Sequence, residues 1–187
     1  MLGMMMNSPL LVSTILRHAA TYHGTTEIVS KTVEGPIHRY TYADLSKRSQ
    51  KLANALKRLG LEFGDRVGTL AWNGYRYLEL YYGVSGSGLV CHTINPRLFR
   101  EQIGYIIEHA GDSVIFADLT FLPILEALAD RLSGMKAIVM MTDEAHMADW
   151  PIKTDPVAPV PEPSHELSPG IYTVAKSDVN QGRVSIG

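Results

Sequence analysis

Cysteine is nearly missing from this chain of 187 residues, which contains Cys91 and no other. A lone thiol excludes an intrachain disulfide and any cage built from cysteines, and it fits a reducing cytoplasm, the expected location. The seven histidines are scattered, with no pair at the helical spacing that metal ligands use, so no zinc or iron site is expected. A dense lysine or arginine block is also absent. With 17 basic and 19 acidic residues the net charge is −2, which leaves no electrostatic footprint for nucleic acid or an anionic bilayer. No GxSxG elbow and no glycine loop followed by a phosphate-binding lysine is present. Long apolar runs are missing too. The opening "MLGMMMNSPLLVSTILRHAA" has no basic n-region, and Arg17 and His18 interrupt it before a membrane-spanning length, so neither a signal peptide nor a transmembrane segment is expected.

What the chain does contain is apolar matter in the proportion a packed core needs: 45% hydrophobic and 19% charged residues. Its length suits one domain with a tail, large enough to bury roughly two-thirds of its surface on folding. A helix is expected near the start, capped by Ser8, with Pro9 at its first position and Leu11, Ile15 and His18 on one face. "TEIVSK" and "HRYTY" flank a Gly35-Pro36 turn and predict an antiparallel hairpin.

From Tyr40 the signals strengthen. Thr41 and Asp44 have capping-box spacing, and Tyr40 and Leu45 that of a hydrophobic staple. Leu45, Leu52, Leu56 and Leu59 then form one stripe, Lys47, Arg48, Lys51, Lys57 and Arg58 face water, and Gly60 supplies a left-handed stop. "RVGTLAW" (66–72) predicts a strand ended by Asn73-Gly74, and "YRYLELYYGVSGSG" a helix. Leu89–Thr93 predicts a second strand, broken by Pro96. Ile103, Ile106, Ile107 and Ala110 mark a helix stopped by Gly111 and Asp112, and "SVIFA" (113–117) a third strand. Leu122, Leu125, Leu128, Ala129 and Leu132 mark one more helix, and "KAIVMM" (136–141) a fourth strand. Such alternation implies an α/β fold with a mostly parallel sheet, right-handed crossovers and flanking helices. Residues 1–147 form this α/β segment. Residues 148–187, with Pro151, Pro156, Pro159, Pro161 and Pro163, read as a divergent Pro-rich tail, a linker or disordered.

"GVSGSG" (83–88) has the glycines of a nucleotide fingerprint in the wrong order, since it closes a helix and enters a strand. Tight packing and chain reversal account for it. In open α/β sheets ligands collect beyond the carboxyl ends of the strands, which nominates Trp72, Asn73, His92, Thr93, Asn95, Arg97 and Asp118 as a candidate crevice. Each has an ordinary structural reading as well. Asn95 before Pro96 is a turn initiator, Asp118 can cap the next helix, and His92 can be a satisfied, partly buried imidazole. Cys91 and His92 are adjacent on a strand, so they point to opposite faces and form no catalytic pair. On the residues alone, no catalytic, cofactor or metal site is assigned.

"YTYADLSKRSQKLANALKRLG" followed by "FGDRVGTLAWNGYRYLELYYGVSGSGLVCHTINPRLFREQIGYIIEHAGDSVIFADLTFLPILEAL" resembles the start of the AMP-forming acyl-CoA synthetases of the adenylate-forming ligase superfamily, above all fatty-acyl-CoA and methylthiopropionyl-CoA ligases. The likeness runs over 1–147, with "GDRV", "WN", "HTINPRL" and "FADLTFLP" in order. It implies the N-terminal part of the large domain of such a ligase. It also implies a two-step reaction in which a carboxylic acid and Mg-bound ATP give an acyl-adenylate and pyrophosphate, and the thiol of coenzyme A then displaces AMP. Members of the family are cytoplasmic or membrane-peripheral, and fatty-acyl relatives often pair as homodimers. ATP, Mg and CoA are thus the family's cofactors.

The family's Thr/Ser/Gly-rich phosphate loop has no counterpart here, because "LSPGIYTVAKSDVNQG" is not a "TSGTTG". "DWPIKTDP" is similar to the family's approach to that loop, and the likeness then stops as a frameshift, an early stop or a truncated gene product would make it stop. None of the family's cofactors is therefore expected to bind this chain alone, and activity in isolation is not expected. A partly built sheet would leave one face bare and favour self-association, including a homodimer. Two other functions compete with an inactive synthetase portion: an interaction module that binds a full-length synthetase, and a small nucleotide-binding α/β domain.

Overall fold

A computed structural model describes residues 3, 7, 9–143, 145 and 146, together with strands at 171–176 and 181–186. In chain order its elements are α1 (Val12–Tyr22), β1 (Glu27–Lys31), β2 (Ile37–Thr41), α2 (Tyr42–Arg58), β3 (Arg66–Leu70), α3 (Tyr75–Gly86), β4 (Val90–Thr93) and α4 (Arg100–Ala110). There follow β5 (Val114–Asp118), a 3-10 turn (Leu119–Phe121), α5 (Leu122–Ala127), β6 (Ala137–Met141), β7 (Ile171–Lys176) and β8 (Gln181–Ile186).

Helix α2 begins where the sequence says it should. The Asp44 amide donates to Thr41 Oγ1 at 3.3 Å and the Thr41 amide to Asp44 Oδ2 at 3.0 Å, so two otherwise orphaned donors are satisfied reciprocally. Thr41→Ala removes one arm of this box and is expected to lower stability by about 1 kcal/mol, measured as the urea midpoint at constant slope. Gly60, at φ 74°, provides the expected left-handed turn beyond the helix. Leu45, Leu52 and Leu56 are buried as their spacing predicts.

Strands β4, β3, β5 and β6 lie side by side in that order and run parallel, as the α/β pattern predicts. Every residue of β5 is buried, because helices cover both faces. Alternation along the strand sends Val114 and Phe116 to one layer, with Leu52, Leu56, Leu80 and Val84 of α2 and α3. Ile115 and Ala117 go to the other, with Ile103 and Ile107 of α4 and with Leu125. The expectation of a bare sheet face is therefore corrected, since each face of this parallel unit carries its own apolar layer.

Other expectations change in detail. Ser8 lies outside the described residues, and α1 starts at Val12 after Leu11, whose amide bonds back to Pro9 O at 3.1 Å. The Leu11 and Ile15 stripe faces outward, and Leu16 is the side chain of α1 that turns in. The Leu122 to Leu132 helix is shorter than predicted. Past Ala127 three-residue bonds, such as Leu132 N to Ala129 O at 3.2 Å, mix with four-residue ones, so the apolar residues reach the core from successive turns. Arg48, expected in solvent, is partly buried against α3. In the segment read as an irregular tail, β7 pairs antiparallel with β6 and β8 with β7. Residues 147–170 lie outside the described residues, as does the proposed boundary near Met147.

Candidate functional site

Strand order sets the geometry at the carboxyl end of the sheet. β3, β5 and β6 are neighbours, so Trp72, Asp118 and Thr142, which end or follow them, come together. Asp118 Oδ2 accepts the Trp72 amide at 2.7 Å, and the Trp72 ring lies 5.1 Å from that of Phe121. The Asp118 side chain belongs to a residue only 3% exposed, and burial pushes its carboxyl up to about 6 against the opposing pull of the Trp72 amide and Arg76.

Three residues that sequence reading did not nominate complete the cluster. Arg76, in the first turn of α3, donates through Nη1 to both Glu34 oxygens at 2.9 and 3.1 Å, and Thr142 Oγ1 donates to Glu34 Oε1 at 3.2 Å. Glu34 sits in the β1–β2 turn, so the hairpin is tied to α3 and to the exit of β6 by one carboxylate. No sequence signal could have found this, because Glu34 is 42 residues from Arg76 and 108 from Thr142. The cavity that Trp72, Asn73, Arg76 and Asp118 help to line is about 30 Å³, room for one water.

The remaining nominated residues do not join this cluster. His92, on β4, turns to the α4 side and its Nδ1 contacts Asp112 Oδ1 and Oδ2, each at 2.9 Å. Gly68 of β3 lies between them. A Cβ there would stand 2.8 Å from Asp112 Oδ2, so glycine is what lets the pair meet. Cys91 packs against the opposite layer, as strand alternation predicts, and burial pushes its thiol up to about 11, which keeps it protonated and unreactive. Asn95 Oδ1 accepts the Arg97 amide at 3.0 Å, forming a turn, and Thr93, Asn95 and Arg97 are exposed.

A second ion pair, buried on its Glu79 side, joins α2 to α3. Arg48 Nε donates to Glu79 Oε1 at 2.6 Å, while burial pushes the Glu79 carboxyl up. The His38 ring stacks on Tyr75 with centroids 3.7 Å apart, and burial with nearby Arg48 and Arg76 lowers its pKa, so it is held neutral.

These groups do not fit a triphosphate and its metal. The carboxylates at the strand ends already accept from Arg76, Thr142 and the Trp72 amide, and the space beside them takes a water. Among the described residues no three His, Cys, Asp or Glu side chains converge as metal ligands.

A family model described as AMP-binding enzyme matches residues 15–174. The chain belongs to that family. Among curated relatives, the 3-methylmercaptopropionyl-CoA ligase of Ruegeria lacuscaerulensis is 52% identical over 141 residues, covering 75% of this chain and 26% of the relative. The long-chain-fatty-acid–CoA ligase of Thermus thermophilus is 36% identical over 183 residues, covering 96% of this chain and 34% of the relative. The chain thus spans about a quarter to a third of the length of these relatives. Its fold matches that of the anthranilate CoA ligase AuaEII in complex with anthranoyl-AMP, with a TM-score of 0.64, 24% identity, and 71% of this chain and 25% of that one covered. It also matches the N-terminal domain of FACL13 from Mycobacterium tuberculosis, with a TM-score of 0.58, 23% identity, and 88% and 43% coverage. The N-terminal adenylate-forming ligase fold expected from "GDRV", "HTINPRL" and "FADLTFLP" is the fold observed. No helix among the described residues of this AMP-binding enzyme chain is long and apolar enough to cross a membrane.

Proposed function

We propose that this chain is the N-terminal portion of an ATP-dependent acyl-CoA synthetase, and that alone it supplies scaffold and no chemistry. The parent reaction joins a fatty or similar carboxylic acid to coenzyme A, with ATP converted to AMP and pyrophosphate. The shared names of the ligase relatives support the reaction class. The observation that carries the second half of the reading is the crowding of the strand ends, where Glu34 accepts from Arg76 and Thr142, Asp118 accepts from the Trp72 amide, and about 30 Å³ is left. Adenylation depends on placing and neutralising phosphate charge, so it needs donors and metal ligands beyond these four. A cytoplasmic location, a boundary near Met147 and pairing with a second copy belong to the same reading.

Thermal unfolding with Mg and ATP tests it. A ligand at a hundred times its dissociation constant adds about 2.7 kcal/mol, a rise of about 5–10 °C for a chain of this size. The expected result is no rise. A midpoint that climbs with ATP concentration would contradict the reading.

A further inference from the structure

The β1–β2 hairpin lies over the strand ends. Lys31, Thr32 and Val33 form one wall of the small cavity whose other wall includes Trp72, Asn73 and Asp118, so this part of the crevice is roofed by the hairpin. The roof is held down mainly on the first two residues of α3. Glu34 accepts from Arg76 and from Thr142, Ser30 Oγ accepts the Tyr75 amide at 3.1 Å, and the Tyr40 hydroxyl donates to Tyr75 O at 3.5 Å. The His38 ring completes the set, stacked on the Tyr75 ring at 3.7 Å and 17°.

Imidazole is the group in this set whose ordinary titration falls near neutral pH. His38 Nε2 is shut off from solvent and has no hydrogen-bond partner among the described residues. A neutral ring with its proton on Nδ1 tolerates this, because Nε2 is then a bare acceptor. The imidazolium carries a proton on both nitrogens and would strand one of them. It would also meet the wrong charges. Two guanidiniums already lie near the Tyr75 ring, Arg76 Cζ at 5.0 Å and Arg48 Cζ at 5.9 Å from its centroid, and the carboxylates of Glu34 and Glu79 are taken up in pairing with them. Within the hairpin, Tyr40 at 5.0 Å and the facing Ser30 bring no charge. Burial and the two arginines accordingly lower the His38 pKa.

We propose that the hairpin is an acid-released flap over the strand ends, with His38 as its trigger. A proton taken up by the ring cannot be solvated while the ring lies on Tyr75, so the hairpin lifts, the imidazolium turns to water and the wall beside Trp72 and Asp118 opens. The lifted flap binds the proton at the ordinary 6.5 and the closed flap only at lower pH, so opening grows as pH falls below 6.5 and levels off beneath the lowered value. Asp118 and Glu79, whose carboxyls burial pushes up, titrate in the opposite sense and favour closure in acid. Comparison with a variant at position 38 removes their contribution. The flap stands whether or not the synthetase reading does.

Amide hydrogen exchange of the whole chain and of His38→Phe, followed from neutral pH into mild acid and corrected for intrinsic rates, provides the test. Phenylalanine keeps a ring for Tyr75 and takes up no proton. For the amides of β1 and β2 the opening constant of the parent, divided by that of the variant, is expected to rise below pH 6.5 by up to about tenfold per pH unit, as one linked proton requires. In the parent, β5 and α4 should stay at least about tenfold better protected than the hairpin in acid, the mark of a local opening. The His38 ring resonances of the parent, which do not depend on the variant, should titrate below 6.5. A hairpin ratio that is independent of pH, a single opening constant shared by the hairpin and β5, or a His38 ring that titrates at or above 6.5 would overturn the proposal.

Discussion

Arg76→Met is expected to destabilise the chain by about 3–5 kcal/mol, the usual consequence of stranding one member of a buried ion pair. Glu34 and Arg76 have side chains only 2% and 7% exposed, and Thr142 Oγ1 alone would remain to solvate the Glu34 carboxylate. Removing both charges together, in Arg76→Met with Glu34→Gln, should recover much of the loss, because the uncompensated charge and not the missing bond dominates the penalty. The solvent-facing pair Arg39–Glu27, 57% and 49% exposed, provides the contrast. Arg39→Ala should change stability by under about 1 kcal/mol. Urea denaturation of the three variants beside the parent chain measures all of this. Similar small losses for Arg76→Met and Arg39→Ala would show that the strand-end cluster does not hold the hairpin in place.

Asp118 carries the second large effect. Its folded-state pKa, about 6, lies above the ordinary 3.8, so the native state binds a proton more tightly than the unfolded chain does. The stability this supplies is fully present below about pH 4 and is lost as pH rises through about 6, a change of up to about 3 kcal/mol. Asp118→Asn keeps an oxygen for the Trp72 amide and has no proton to lose. Its stability relative to the parent should therefore improve steadily between about pH 4 and pH 6.5, and level off above. His38 is held neutral by burial and by Arg48 and Arg76, so it contributes a slope of opposite sign, with stability lost on acidification through its lowered pKa. That slope is shared by both proteins and cancels in the comparison. A parent-minus-variant difference that stays flat across this range would contradict a raised Asp118.

How much of this was legible in the sequence depended on how far apart the partners are. The Thr41 and Asp44 box, the leucine stripe of α2 and the isoleucine stripe of α4 are local, and they stand where spacing put them. β3 and β5 are neighbours, so Trp72 and Asp118 meet at the carboxyl end of the sheet. Glu34, Arg76 and Thr142 beside them were silent, because a turn glutamate, an arginine in the first turn of a helix and a threonine past a strand carry no periodic signature. His92 is the satisfied, partly buried imidazole that its ordinary reading allowed, but its partner could not be named from the sequence. Its bond to Asp112 crosses β3 at Gly68, and the value of that glycine appears only when the strands are side by side. At α1 the apolar stripe was read correctly and its direction was not, since periodicity finds a face without saying what it meets.

On the proposed reading, the described residues of this AMP-binding enzyme chain close the strand ends upon themselves and offer no metal-ligand cluster with which to grip ATP and its metal. Exchange of labelled pyrophosphate into ATP, driven by a panel of fatty and other short carboxylic acids and the purified chain with Mg, tests it most directly. Exchange no faster than without protein is expected for every acid. Acid-dependent exchange above that blank would contradict it.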